Sequence, residues 1–147
     1  MELHTEGAVA ILLIGPLDSR RRTLRHILAA PQWDLREAAT YGEAVGVLND
    51  PGIAVIICDT EIGEGDWQTL LANIQSRAHP PNLIVSSRLA DERLWAEVLN
   101  LGGYDVLVQP FDCGEVLRVA HMAWMDWRQK WHSRMHSALR AGTVAAS

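Results

Sequence analysis

The sequence is poor in the residues that mark several classes of protein. It has two cysteines and a single lysine, Lys130, among its 147 residues. Two cysteines are too few for a disulfide framework. The seven residues before the first apolar run are too short and polar for a signal peptide, and no apolar run approaches the roughly 18 residues of a membrane span. These absences predict a reducing cytoplasm and no membrane partner.

The chain also lacks a strong charge of either sign. Its formal net charge is -5, whereas a nucleic-acid-binding domain would need a basic face, so we predict no nucleic-acid partner. A local run of arginines at positions 20, 21, 22 and 25 is typical of a solvated helix face. A length of 147 residues with 48% apolar content fits one globular domain.

Short apolar runs alternate with helical patterns along the whole chain. Apolar runs cover residues 8–14, 53–58, 83–85 and 106–108, and a shorter, more polar segment at 33–39 has the pattern of an edge strand. Residues that can cap a helix follow them, namely Asp18 or Ser19, Thr40 with Glu43, Asp66, Asp91 and Asp112. Five strands alternating with five helices predict an α/β fold, a doubly wound five-stranded parallel sheet with helices on both faces.

Polar side chains stand where three of these strands end. Asp59 follows the third strand, Ser86 and Ser87 end the fourth, and Gln109 with Pro110 follows the fifth. In doubly wound sheets the chemistry sits outside the carboxyl ends of the strands. We therefore expect these residues to line one crevice, with Asp18 and Glu61 as further pocket residues.

This order of elements and strand ends, with Gly102-Gly103 before the last strand, resembles the CheY-like receiver domain of bacterial response regulators. The resemblance covers residues 8–122 and implies the flavodoxin-like receiver fold. It also implies that Asp59 is the candidate phosphoacceptor and that a histidine kinase or a downstream effector is the protein partner. Receiver domains belong to two-component, or phosphorelay, signalling.

The sequence departs from the receiver pattern at several positions. Where the family has two acidic residues that help to bind Mg²⁺, this chain has Gly15 and Pro16, and where it has a lysine this chain has Gln109. The family also has an aromatic residue on the last strand, and this chain has Val106 near that position. The resemblance therefore implies at most weak Mg²⁺ binding, with Asp59 as a weak candidate ligand, and no other cofactor. We predict a degenerate receiver, a pseudo-receiver that is phosphorylation-independent or weakly phosphorylatable.

The C-terminal segment is predicted to extend the last helix well past the domain. From Asp112 to about residue 141 little interrupts a helix, so residues 123–147 read as a helical extension and tail. A 3-4-3-4 seam is formed by Leu117, Ala120, Trp124, Trp127 and Trp131. We predict that this seam forms a homodimer or binds a helical partner, since tryptophan is enriched at interfaces. The alternative is that the tryptophans pack on their own domain.

The sequence as a whole favours a stand-alone signalling and interaction module that is not an enzyme. One alternative is a working response regulator in which Asp59 is phosphorylated by a histidine kinase. A second alternative is a flavodoxin-like small-molecule binder or enzyme that uses the same crevice. No glycine-rich phosphate loop follows the first strand, which disfavours this second alternative.

Overall fold

The chain folds as five β strands alternating with five α helices. A computed structural model describes residues 8–62 and 65–146, with side chains described up to residue 141. The elements are β1 Val9–Ile14, α1 Ser19–Ile27, β2 Trp33–Ala38, α2 Tyr41–Val47, β3 Ile53–Asp59, α3 Trp67–Gln75, β4 Asn82–Ser87, α4 Glu92–Asn100, β5 Asp105–Val108 and α5 Cys113–Ala146. All strand pairs are parallel, in the order β2-β1-β3-β4-β5. The predicted fold class is confirmed; the N-terminal seven residues lie outside the described residues.

The sheet is apolar at its centre and more polar at one edge. Every residue of β1 and β3 is buried, as expected for strands that are covered on both faces. In β2, at the edge, the four residues between Trp33 and Ala38 are only half-buried. One apolar layer lies between the sheet and helices α2, α3 and α4, and the second lies under α1 and α5.

The helix starts follow the capping residues of the sequence. Asp18, rather than Ser19, caps α1, because its Oδ1 accepts from the Arg20 amide at 2.9 Å. At α2, Thr40 Oγ1 accepts from the Glu43 amide at 3.2 Å, while the Glu43 carboxylate accepts from the Ala39 amide at 2.7 Å. The side chains of Asp66, Asp91 and Asp112 accept amide hydrogens in the first turns of α3, α4 and α5.

Helix α5 is 34 residues long and crosses the position, between residues 122 and 123, where the sequence suggested a division. Its inner side carries Val116, Val119, Ala120 and Ala123, each at most 2% exposed. Ala120 is therefore a core residue and not available to an interface, which corrects the predicted seam. Across the described ranges, no helix is long and apolar enough to cross a membrane.

The tryptophans of the predicted seam also turn toward their own domain. Leu117, Trp124 and Trp127 are half-buried against the apolar layer under α5. Trp131 remains 42% exposed, and its ring lies 4.6 Å from the imidazole of His79 in the segment between α3 and β4. The rotation of α5 about its axis, which the seam spacing does not fix, decides this orientation.

Further polar contacts tie α5 to the amino-terminal edge of the sheet. Asn82 Nδ2 donates to the Ala123 carbonyl at 2.8 Å and to Asp126 Oδ2 at 2.9 Å. Arg134 Nη1 donates to the Ala78 carbonyl at 3.0 Å. Side-chain hydrogen bonds thus hold the helix to the domain as far as residue 134.

Helix α4 is covered by the rest of the domain along a narrow stripe only. Val98 is fully buried and Leu94 is partly buried, but Trp95 is 39% exposed and Leu101 is 46% exposed. The helix packs beside β5, a four-residue strand at the edge of the sheet, so only a narrow stripe of the helix is covered.

Candidate functional site

Three strand ends meet at the carboxyl edge of the sheet. Asp59 ends β3 and is paired in register with Ser86 of β4. Gln109 follows β5, and its backbone amide donates to the Ser87 carbonyl at 2.9 Å. The side chains of Asp59, Ser86 and Gln109 lie together, and the three residues are at most 6% exposed. The structure therefore brings together these three predicted pocket residues.

The Asp59 carboxylate is hydrogen-bonded on both oxygens. Gln109 Nε2 donates to Asp59 Oδ2 at 2.8 Å, and the Glu61 amide donates to Oδ1 at 2.7 Å. Gln109 Nε2 also lies 3.3 Å from Ser86 Oγ. The peptide bond from Gln109 to Pro110 is cis. A neutral amide is thus the strand-end partner of this buried carboxylate.

Arg20 enters the site from the first turn of α1, which the sequence did not predict. Its Nη1 lies 3.4 Å from Asp59 Oδ2 and 3.6 Å from Glu61 Oε2, while its Nη2 lies 2.7 Å from Asp18 Oδ2. The hydrogen bond with Arg20 lowers the pKa of Asp18, and the same bond raises the pKa of Arg20. Asp18 therefore reaches the site through Arg20.

The arginine run is only partly the solvated face predicted from the sequence. Arg20 joins the site and Arg21 is 8% exposed, whereas Arg22 and Arg25 are exposed. The sequence did place Arg20 in the first turn of the helix after β1, and that turn lies at the carboxyl edge of the sheet. Nothing local in the sequence separates it from its two neighbours.

The loop after β1 leaves little space next to Asp59. A Cβ added at Gly15 would lie 3.0 Å from the Asp59 Cβ, which is tighter than an ordinary contact. Pro16, Arg20, Ser86 and other neighbours line the remaining cavity of about 10 Å³, close to the volume that a single water needs. The site is therefore closely packed.

The remaining predicted pocket residues lie around this centre. The Glu61 side chain is 58% exposed and pairs with Arg88 at 3.3 Å as well as with Arg20. Ser87 Oγ accepts from the Leu89 amide at 3.0 Å and so serves the following loop, while Pro110 is exposed. Within the described parts of the chain, no cluster of three or more His, Cys, Asp or Glu side chains could hold a metal ion.

The position of the family aromatic is filled by an aliphatic side chain. Val106 is 2% exposed and belongs to the apolar layer under α2, α3 and α4. Tyr104, its aromatic neighbour in the sequence, packs with the opposite layer, under α1 and α5. Tyr104 therefore does not occupy the layer that contains Val106.

A parallel sheet in the order 2-1-3-4-5, with a buried aspartate ending β3, a hydroxyl on β4 and a polar residue before proline after β5, defines a receiver-type α/β domain. The family model described as "Response regulator receiver domain" matches residues 11–121. The chain belongs to this family of two-component signalling modules. The comparison with curated proteins finds no match.

Solved receiver structures share the fold. The signal receiver domain of an HD domain-containing protein from Pseudomonas fluorescens Pf-5 is 24% identical, with a TM-score of 0.74 over 83% of this chain and 98% of that one. The chemotaxis response regulator CheY4 of Vibrio cholerae is 19% identical, with a TM-score of 0.70 over 79% and 98%. The beryllofluoride-activated NtrC4 receiver domain dimer is 20% identical, with a TM-score of 0.73 over 80% and 98%. At these identities the likeness shows the fold alone.

Proposed function

We propose that the chain is a receiver-type signalling module that acts through protein–protein contacts, without phosphorylation of Asp59 as its switch, and that is not an enzyme. The observation that carries the proposal is the neutral partner of Asp59, since Gln109 Nε2 donates to Asp59 Oδ2 at 2.8 Å. An amide supplies a hydrogen bond but no charge. The lysine that the family resemblance implies at this position would supply both.

Electrostatics and space support the same proposal. Phosphoryl transfer depends mainly on positive charge arranged around the transferred group. Arg20 lies near Asp59, but its Nε and Nη2 are bonded to Asp18 Oδ2 at 3.1 and 2.7 Å. The adjoining cavity of about 10 Å³ has room for about one water. The close packing around Asp59 favours a carboxylate that stays unmodified.

A working phosphoacceptor is the second candidate. It is favoured by the position of Asp59 at the end of β3, in register with Ser86, whose side chain keeps a hydroxyl beside the carboxylate. In this candidate Asp59 would be the nucleophile and a histidine kinase the phosphodonor.

A phosphorylation assay separates the two candidates. The wild type and Asp59→Asn are incubated with a small phosphodonor and Mg²⁺, and the intact mass is measured. We expect no adduct that depends on Asp59. A combined Gln109→Lys and Pro16→Asp variant, which returns two of the missing charges and leaves the crowded Gly15 unchanged, is the constructive control. An adduct on the wild type that Asp59→Asn abolishes would establish the phosphoacceptor and contradict our proposal.

The contact surface that we propose is the outer side of α5, within the extension predicted for residues 123–147 and the turn before it. Met122, Met125 and Met135 are 45–50% exposed and Leu139 is 65% exposed. Methionine gives adaptable apolar surface and is enriched at interfaces. This surface replaces the predicted tryptophan seam and supports a protein partner, which is a second copy of the chain, a histidine kinase or an effector.

Sedimentation tests self-association through this surface. If the chain forms a homodimer there, Met122→Gln with Met125→Gln reduces the mass to that of a monomer, whereas Leu89→Gln, at an exposed position outside α5, leaves it unchanged.

After residue 115 the chain carries five basic residues and one acidic residue. Paired α5 helices would repel, so added salt should strengthen the dimer. A wild type that stays monomeric at high concentration would contradict the homodimer and leave the kinase or effector as the partner.

A further inference from the structure

Three carboxylates converge on one guanidinium at the carboxyl edge of the sheet. Arg20 is bonded to Asp18 at 2.7 Å, and lies 3.4 Å from Asp59 and 3.6 Å from Glu61. Its side chain is 21% exposed, whereas that of Asp59 is 7% exposed. The partly buried arginine thus stands between a deeply buried carboxylate and two outer ones.

The residues at this site do not fit the Mg²⁺ ion that the family implies. Mg²⁺ requires octahedral oxygen ligands and keeps several of its waters. Gly15 and Pro16 offer no side-chain oxygen, and a Cβ at Gly15 would already lie 3.0 Å from the Asp59 Cβ. The cavity of about 10 Å³ has room for roughly one water. A hydrated divalent ion would have to displace the arginine.

Arg20 is also held in place by hydrogen bonds that do not involve Asp59. Its backbone amide donates to Asp18 Oδ1 at 2.9 Å, and Nε and Nη2 donate to Asp18 Oδ2 at 3.1 and 2.7 Å. Asp18 is the N-cap of α1 and Arg20 lies in its first turn, so the pairing is local and orders little additional chain. A guanidinium cannot lose its proton in a protein, so this charge is permanent.

We infer that Arg20 is the resident cation of the site: it supplies the positive charge next to Asp59 and keeps divalent metal ions out. The charge balance around Asp59 is then independent of the Mg²⁺ concentration. Arg88 also pairs with Glu61, at 3.3 Å, so that Arg20 and Arg88 together face the three carboxylates of the site. Removal of Arg20 would leave Asp59 with only uncharged hydrogen-bond donors among the contacts described above. This inference does not depend on whether Asp59 is phosphorylated.

Thermal unfolding of three variants tests the inference. Arg20→Gln removes the charge at the site, Arg20→Lys keeps it, and Arg22→Gln makes the same change at an exposed position of the same helix. Each protein is heated with millimolar MgCl₂ and with NaCl of equal ionic strength. We expect Arg20→Gln to unfold at a lower temperature than Arg22→Gln, Arg20→Lys to recover most of the loss, and Mg²⁺ to raise the midpoint of Arg20→Gln alone.

Mn²⁺ gives a second readout that is independent of stability. In Arg20→Gln, the paramagnetic ion should broaden the amide signals of Asp59 and Glu61 at about a tenfold lower concentration than in the wild type or Arg22→Gln. Equal midpoints for Arg20→Gln and Arg22→Gln would overturn the role of Arg20 as the resident cation. Equal responses of the wild type and Arg20→Gln to Mg²⁺ and Mn²⁺ would overturn the exclusion of metal ions by Arg20. The phosphodonor assay reports separately on the proposed function.

Discussion

Replacing Gln109 with glutamate would place a second carboxyl group against Asp59. Gln109 Nε2 is 2.8 Å from Asp59 Oδ2, and the Gln109 residue is 6% exposed, so the introduced group cannot turn into solvent without moving the backbone after β5. When protonated, the introduced carboxyl can donate its O–H to Asp59 and so replace the lost amide donor. When ionised, it repels Asp59 in a site with little water. The variant should therefore be stable only where the new group keeps its proton.

The size of the effect follows from the distance between the charges. Two like charges about 4 Å apart repel by about 4 kcal/mol at an effective dielectric constant near 20. Such a repulsion raises the folded-state pKa of the introduced carboxyl by about three units, from about 4.3 in the unfolded chain to about 7. Arg20 Nη1, 3.4 Å from Asp59, offsets part of this repulsion. The free energy of unfolding then falls by up to about 4 kcal/mol at neutral pH, which is roughly 10 °C in the unfolding midpoint.

The sign of the pH dependence distinguishes this effect from ordinary damage to the core. A carboxyl with a raised folded-state pKa leaves stability intact below its unfolded pKa, and the loss grows as pH rises toward the folded value. The free energy of unfolding of Gln109→Glu should thus lie within about 1 kcal/mol of the wild-type value near pH 5. At about pH 7.5 it should lie far below the wild-type value. Gln129→Glu, on the exposed side of α5, is the control. Parallel curves for Gln109→Glu and the wild type across this range would refute the reasoning.

Burial raises the pKa of the Cys58 thiol far above its usual value, while Cys113 is exposed, so a thiol reagent should label one cysteine in the native protein and two after denaturation. Gly103→Ala should destabilise the fold by about 1–3 kcal/mol, because its Cβ would lie 2.5 Å from a side-chain carbon of α4. Gly46→Ala, in a helix with open space around it, should raise stability by up to about 1 kcal/mol in the same denaturation experiment. Burial lowers the pKa of His79, and the charge of the nearby Arg134 lowers it further. Stability should therefore decline as pH falls below about 6.5, the ordinary histidine pKa that applies in the unfolded chain, and His79→Gln should flatten that decline.

Each of these expectations has a result that would contradict it. Rapid labelling of both cysteines without denaturant would mean that β3 opens readily. Equal stabilities of the two glycine variants would mean that the contact at Gly103 relaxes at no cost. An unchanged pH profile in His79→Gln would mean that another group governs the decline.

The sequence by itself determined the elements and the meeting of Asp59, Ser86 and Gln109. The capping residues act within a few positions of the chain, so Thr40 and Asp66 could be assigned without knowledge of the fold. The carboxyl ends of neighbouring parallel strands must lie side by side, and the alternation of strands and helices was enough to predict that.

Only the tertiary structure decided which side of a helix meets which neighbour. Arg20, Arg21 and Arg22 are alike in sequence, yet only Arg20 points at Asp59, because successive residues of a helix turn by about 100°. Ala120 and Trp131 share one seam, but the rotation of α5 and the end of the sheet bury the first and leave the second 42% exposed. Such rotations are set by the packing of distant segments, and a spacing pattern does not record them.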